Sequence, residues 1–175
     1  MALTKINNNT LSAITGLPAG VGGKVLQVVQ VIKTDTFSTT STSLVDITGL
    51  TLSITPSATS SKILVLSSIN GSQQVAVNRT FLKLLRGSTG IFIGDAAGSR
   101  VRGSGSFSGY DPTVPSATVS SSYLDSPNTT SAVTYKWQII RAAGGGTSFI
   151  NRASDDADDG QVRMASTITL MEIGA

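Results

Sequence analysis

The sequence predicts an all-β protein, an antiparallel β-sandwich of the jelly-roll kind with an extended N-terminal arm. Three observations carry that expectation. The chain holds 25 Ser, 22 Thr and 18 Gly in 175 residues, a mixture that favours strands and turns over helices. Short segments of alternating apolar and polar residues recur along it, separated by Gly, Pro and Asn turn signals, and no segment is convincingly helical. Apolar residues make up 39% and charged residues 13%, which suits one domain with a real core and not a charge-expanded coil.

The opening stretch, MALTKINNNTLSAITGLPAGVGG, stands apart. Its aliphatic residues Leu3, Ile6, Leu11, Ile14 and Leu17 are too loosely spaced to build a core of their own. They suit insertion into grooves on another surface, because a segment ordered only on its partner can wrap a wide area. The chain therefore divides into a docking arm, residues 1–23, and a sandwich domain, residues 24–175.

From Lys24, KVLQVVQVIK carries apolar side chains in both phases, as expected of a strand covered on both sides. TDTFSTTSTS is polar and reads as an edge strand or loop. In LVDITGLTLSITPS, Leu50, Leu52 and Ile54 alternate with hydroxyl residues until Pro56 ends the strand. SKILVLSSINGSQQVAV flanks Asn70-Gly71 with two apolar runs, the signature of a type I′ hairpin. Val75 and Val77 then sit in one phase and Leu82 and Leu84 in the other, so a bulge is expected near Asn78–Phe81.

Ile91–Ile93 forms a short strand between glycine-rich turns, and Arg100–Pro115, rich in Gly, Ser and Pro, reads as a long exposed loop. SATVSSSYLD is a strand up to Ser126-Pro127. In SAVTYKWQIIRAA, Val133, Tyr135, Trp137 and Ile139 share one face. A short strand follows GGG, then the acidic loop DDADDG. The last strand places Val162, Met164, Ile168 and Leu170 in phase and is expected to lie centrally. The count is nine or ten strands.

Composition excludes several chemistries. With no Cys and no His there is no disulfide, thiolate zinc site or cysteine nucleophile, and neither the usual general base nor the commonest metal ligand. The net charge of +3 comes from basic residues dispersed singly, not the clustered patch that phosphate neutralisation needs. No segment has the apolar length of a signal peptide or a membrane span. The reading is of a protein without enzyme activity, cofactor or metal, binding neither nucleic acid nor membrane.

The remaining motifs each have a plainer reading beside the chemical one. Asp155, Asp156, Asp158 and Asp159 precede Gly160, and oxygen-rich loops attract hard cations. As an EF-hand loop, however, the cluster has Ala157 at the third position and Ser166 where a Glu is required. A solvated acidic loop is the expectation. RAAGGGTS lacks the Lys and the helix of a phosphate cradle, and RGSGSFSG lacks fingerprint spacing. Tyr135 and Trp137 match a sugar-stacking platform only if their face is open, and at this spacing they read as core. Tyr110 and Tyr123, near loops, are the better ligand contacts.

The opening MALTKINNNTLSAITG, the step into GKVLQVVQV, and the segments LVDITGLTLSITPSATSSKILVLSSING and YKWQIIRAAGGGT resemble small virion proteins of tailed bacteriophages. The resemblance spans nearly the whole chain and carries no catalytic signature. It implies a homotrimeric β-sandwich made in the host cytoplasm and released by lysis, which suits a hydroxyl-rich β protein with neither disulfide nor export signal. Two roles follow. A capsid decoration or cement protein would dock its arm on the major capsid protein. A tail-fibre or receptor-binding protein would touch a host surface glycan or receptor. The cement role is preferred, because the chain has no room for a fibre shaft.

Overall fold

The computed structural model describes residues 24–75, 79–107, 116–158 and 160–174. The arm residues Leu3, Ile6, Leu11, Ile14 and Leu17, together with Tyr110 and Asp159, lie outside them. The described residues form eleven strands and no helix.

One sheet contains β1 (Val25–Lys33), β2 (Phe37–Thr39), β4 (Lys62–Gln73), β8 (Ala117–Asp125), β10 (Ser148–Ile150) and β11 (Ser166–Ile173). The other contains β3 (Val45–Ile54), β5 (Arg79–Arg86), β6 (Thr89–Ile91), β7 (Gly105–Phe107) and β9 (Val133–Ala143). Every ladder is antiparallel. In the first sheet β11 lies between β1 and β4, and β8 pairs the opposite edge of β4. In the second the order is β3-β9-β5-β6, with β7 also on β5.

Both sheets contribute to one apolar core. Ile63, Val65, Ile69, Ile168 and Leu170 from the first meet Leu50, Leu82, Leu84, Tyr135, Trp137 and Ile139 from the second, all fully buried. The alternation read in the ninth strand is thus the core face, and Tyr135 and Trp137 are packing residues and not an open platform. The Tyr135 hydroxyl donates to Asp125 at 2.6 Å, and Arg86 bonds the same carboxylate at 2.9 Å. Burial, then the hydrogen bond and negative charge of Asp125, push the Tyr135 phenol far above its usual range.

Several expectations are corrected. Asn70-Gly71 is no hairpin: β4 runs straight through both, from Lys62 to Gln73. Glycine is needed there because a Cβ on Gly71 would lie 2.5 Å from the Phe149 carbonyl oxygen and 2.6 Å from the Phe107 ring. This is close backbone approach inside a strand, not turn geometry. The short strand after Gly87 is Thr89–Ile91 and not Ile91–Ile93, because Phe92 leaves the ladder with a φ of 51°. The loop expected over Arg100–Pro115 contains β7, which pairs β5 and buries Phe107. Val162 is 42% exposed and precedes the last strand, which begins only at Ser166.

A bulge that the sequence does not announce lies in β3, where the register jumps between Asp46 and Thr51 around Gly49, at φ 86°. It lets Ile47 and Leu50, three residues apart, both face the core. The slip expected near Asn78–Phe81 falls partly outside the described residues, although β5 and β9 do shift register between Arg79 and Thr80. The final strand is central as expected.

Candidate functional site

Strand β1 departs from its expected coverage in an informative way. Val29 and Val31 pack on the core, while Val28 is 52% and Ile32 57% exposed. Register carries the outward side chains across the whole sheet. Val28 faces Met171, Met171 faces Leu64, and Leu64 faces Leu124, one apolar row over four strands. A bulge between Val25 and Gln27 leaves Val25 and Leu26 exposed beside it, near Ile173.

The following rows are neutral and hydroxyl-rich. Gln30, Thr169, Leu66 and Ser122 form one, and Ile32, Thr167, Ser68 and Ser120 the next. Gln30 donates to Thr169 at 2.7 Å within the first of them. Among the outward positions of these four strands, Lys62 is the one charged residue. A sheet face bathed in water ordinarily carries polar and charged residues in its outward phase. This face has an apolar end, and Lys24, where residues 1–23 join, sits at that end.

A second feature lies at the open side between the sheets. Phe92, 40% exposed, follows edge strand β6, and Tyr123 projects from edge strand β8. Their ring centres are 5.5 Å apart at an interplanar angle of 38°. They border a groove of about 690 Å3, lined as well by residues 90–94 and by Gly103 and Ser104. Gly94 donates to the Gly103 carbonyl at 3.3 Å, Arg102 Nε donates to the Gly94 carbonyl at 2.7 Å, and Ser104 Oγ donates to the Ile91 carbonyl at 3.3 Å. The sequence marks Tyr123 as a ligand contact but not Phe92. The signal for Phe92 is faint: an apolar triplet, Ile91 to Ile93, bracketed by glycines.

The carboxylates hold the scaffold together. Asp156 accepts from Arg163 at 2.6 Å through both oxygens and lies 3.5 Å from Arg152, so the aspartate loop is tied by arginines. Among the described residues no three His, Cys, Asp or Glu side chains converge as metal ligands would. Glu172, 1% exposed on β11, accepts from the Ser57 amide at 2.7 Å, the Ser57 hydroxyl at 2.6 Å and Gln27 at 2.6 Å. Burial opposes its charge, but the bonds from Ser57 and Gln27 prevail and hold the carboxyl at about 2. The glycine run after Ala143 is a turn, with Gly144 and Gly146 at φ 79° and 83°. No described helix is long and apolar enough to cross a membrane.

Comparison with known protein families finds no match, and comparison with curated proteins finds none either.

Proposed function

We propose that this chain is a non-enzymatic virion structural protein, a homotrimeric capsid decoration or cement protein of the jelly-roll class. In this reading residues 1–23, with Leu3, Ile6, Leu11, Ile14 and Leu17, dock on the major capsid protein and stabilise the shell. The supporting observation is the outer face of the first sheet. Its row Val28, Met171, Leu64 and Leu124 is apolar, the two rows beyond it are neutral, Lys62 is its one charge, and it starts where the arm joins β1. Contiguous exposed apolar surface marks contact with other macromolecules, and a face with one charge can be covered with little desolvation cost. Many copies bound at once would make even weak attachment durable.

The Phe92–Tyr123 groove favours a second reading, a tail-fibre or receptor-binding protein that meets the host surface. Gold-labelled antibody against the chain, applied to purified particles, separates the two. Label spread over the shell is the expected result. Label confined to the tail tip replaces cement with the receptor reading, and particles without label overturn both. Full-length protein carrying Leu64→Lys and Met171→Lys should bind undecorated shells at least tenfold more weakly than wild type.

A further inference from the structure

We propose that the groove between Phe92 and Tyr123 is a binding site for a neutral saccharide. This is independent of the cement role and names a ligand class for the groove on which the receptor-binding reading rests. The first ground is strain. Phe92 is a bulky residue held at φ 51°, a conformation that its side chain disfavours. Nothing about ending strand β6 requires an aromatic there, and a glycine would take the same backbone without steric strain. Yet the strained residue is an aromatic with 40% of its surface in solvent. Strained residues gather where a site must be preorganised.

The second ground is chemistry. Phe92 and Tyr123 touch each other, at 5.5 Å between ring centres, and so present one joint aromatic platform. Such a platform suits the apolar C–H face of one pyranose ring. It lacks the separate, spaced slots that a polyproline helix requires. Among the described residues no charged side chain lines the groove, which favours a neutral ligand over phosphate, sulfate or an acidic sugar. The volume of about 690 Å3 falls in the range of small-ligand clefts.

The third ground is open space at Gly94. Gly94 has no positive φ, and a Cβ built on it would meet nothing within 4 Å. Neither conformation nor packing demands glycine at this position. Its absent side chain leaves the space at this edge of the groove open. The hydrogen bond from Gly94 to Gly103 joins the two segments of the groove lining.

The test uses the full chain and saturation-transfer NMR. The probes are glucose, galactose, mannose and N-acetylglucosamine, disaccharides of each, sialic acid, and a proline-rich decapeptide. At least one neutral saccharide should receive saturation, strongest on one face of its ring. Phe92→Gly and Tyr123→Ser should each weaken that binding about tenfold or more. Both variants should keep a cooperative thermal transition and the circular dichroism spectrum of the wild type, so lost binding cannot be ascribed to lost folding. The proposal is overturned if no neutral saccharide is saturated or if sialic acid or the peptide binds in their place. Binding that persists unchanged in both variants overturns it too.

Discussion

Replacing Glu172 by Gln tests whether a buried carboxylate holds the sandwich to the segment after β3. The wild-type carboxyl is held at about 2 against an ordinary 4.5. At about 1.4 kcal/mol per pH unit, the preference for the charged form is worth roughly 3 kcal/mol. The substituted side chain can keep its one oxygen on the Ser57 amide and hydroxyl, but its NH2 then faces the Gln27 amide nitrogen, which donates to the second carboxylate oxygen in the wild type. At pH 7 the variant should therefore be about 2–3 kcal/mol less stable, shifting the urea midpoint down by roughly 1 M for a slope of ~2–3 kcal/mol/M. The sign with pH follows from a depressed folded-state value. The contribution is full above about 4.5 and is lost as pH falls towards 2, so the gap between wild type and E172Q should close over that window. Urea unfolding followed by tryptophan fluorescence at about pH 7, 4 and 2.5 reads both effects. A gap below about 0.5 kcal/mol at pH 7, or one that persists unchanged at about pH 2.5, would refute the reasoning.

Other outcomes follow from the packing. Gly71→Ala forces a methyl against the Phe149 carbonyl and the Phe107 ring and should cost about 1–3 kcal/mol, seen as a lower thermal midpoint. Tyr135→Phe removes a donor from buried Asp125 and should cost about 1–3 kcal/mol by urea titration. Asp156→Asn breaks the two-point contact with Arg163, an arginine 62% exposed in its side chain. Its effect on global stability should stay within about 1 kcal/mol, while limited proteolysis near residue 156 should accelerate.

How much of this is legible in the sequence depends on whether the deciding contact is local. Val133, Tyr135, Trp137 and Ile139 announce their burial, because alternation within one strand is set by the pleat itself. The central place of β11 is likewise readable. Gly71 misleads because Asn-Gly has two physical uses, and only the Phe149 and Phe107 atoms, far off in sequence, show which applies. β7 is hidden for a related reason: Gly105–Phe107 has little strand propensity of its own and is a strand because β5 offers it a ladder. The apolar row is present as out-of-phase residues, Val28, Leu64 and Met171, in three separate segments. Each alone reads as a strand covered on both sides. Only the register joins them into one surface.

The position of β11 between β1 and β4 sets an order in time. Among the described residues β1 has no ladder partner but β11, the last of the described strands to leave the ribosome. Until Ser166–Ile173 has emerged, Val28 and Leu64 belong to strands not yet joined through β11, and the apolar row has not been assembled. A nascent or prematurely terminated chain would lack this patch, so attachment through it would be reserved for polypeptides whose synthesis has run through Ile173.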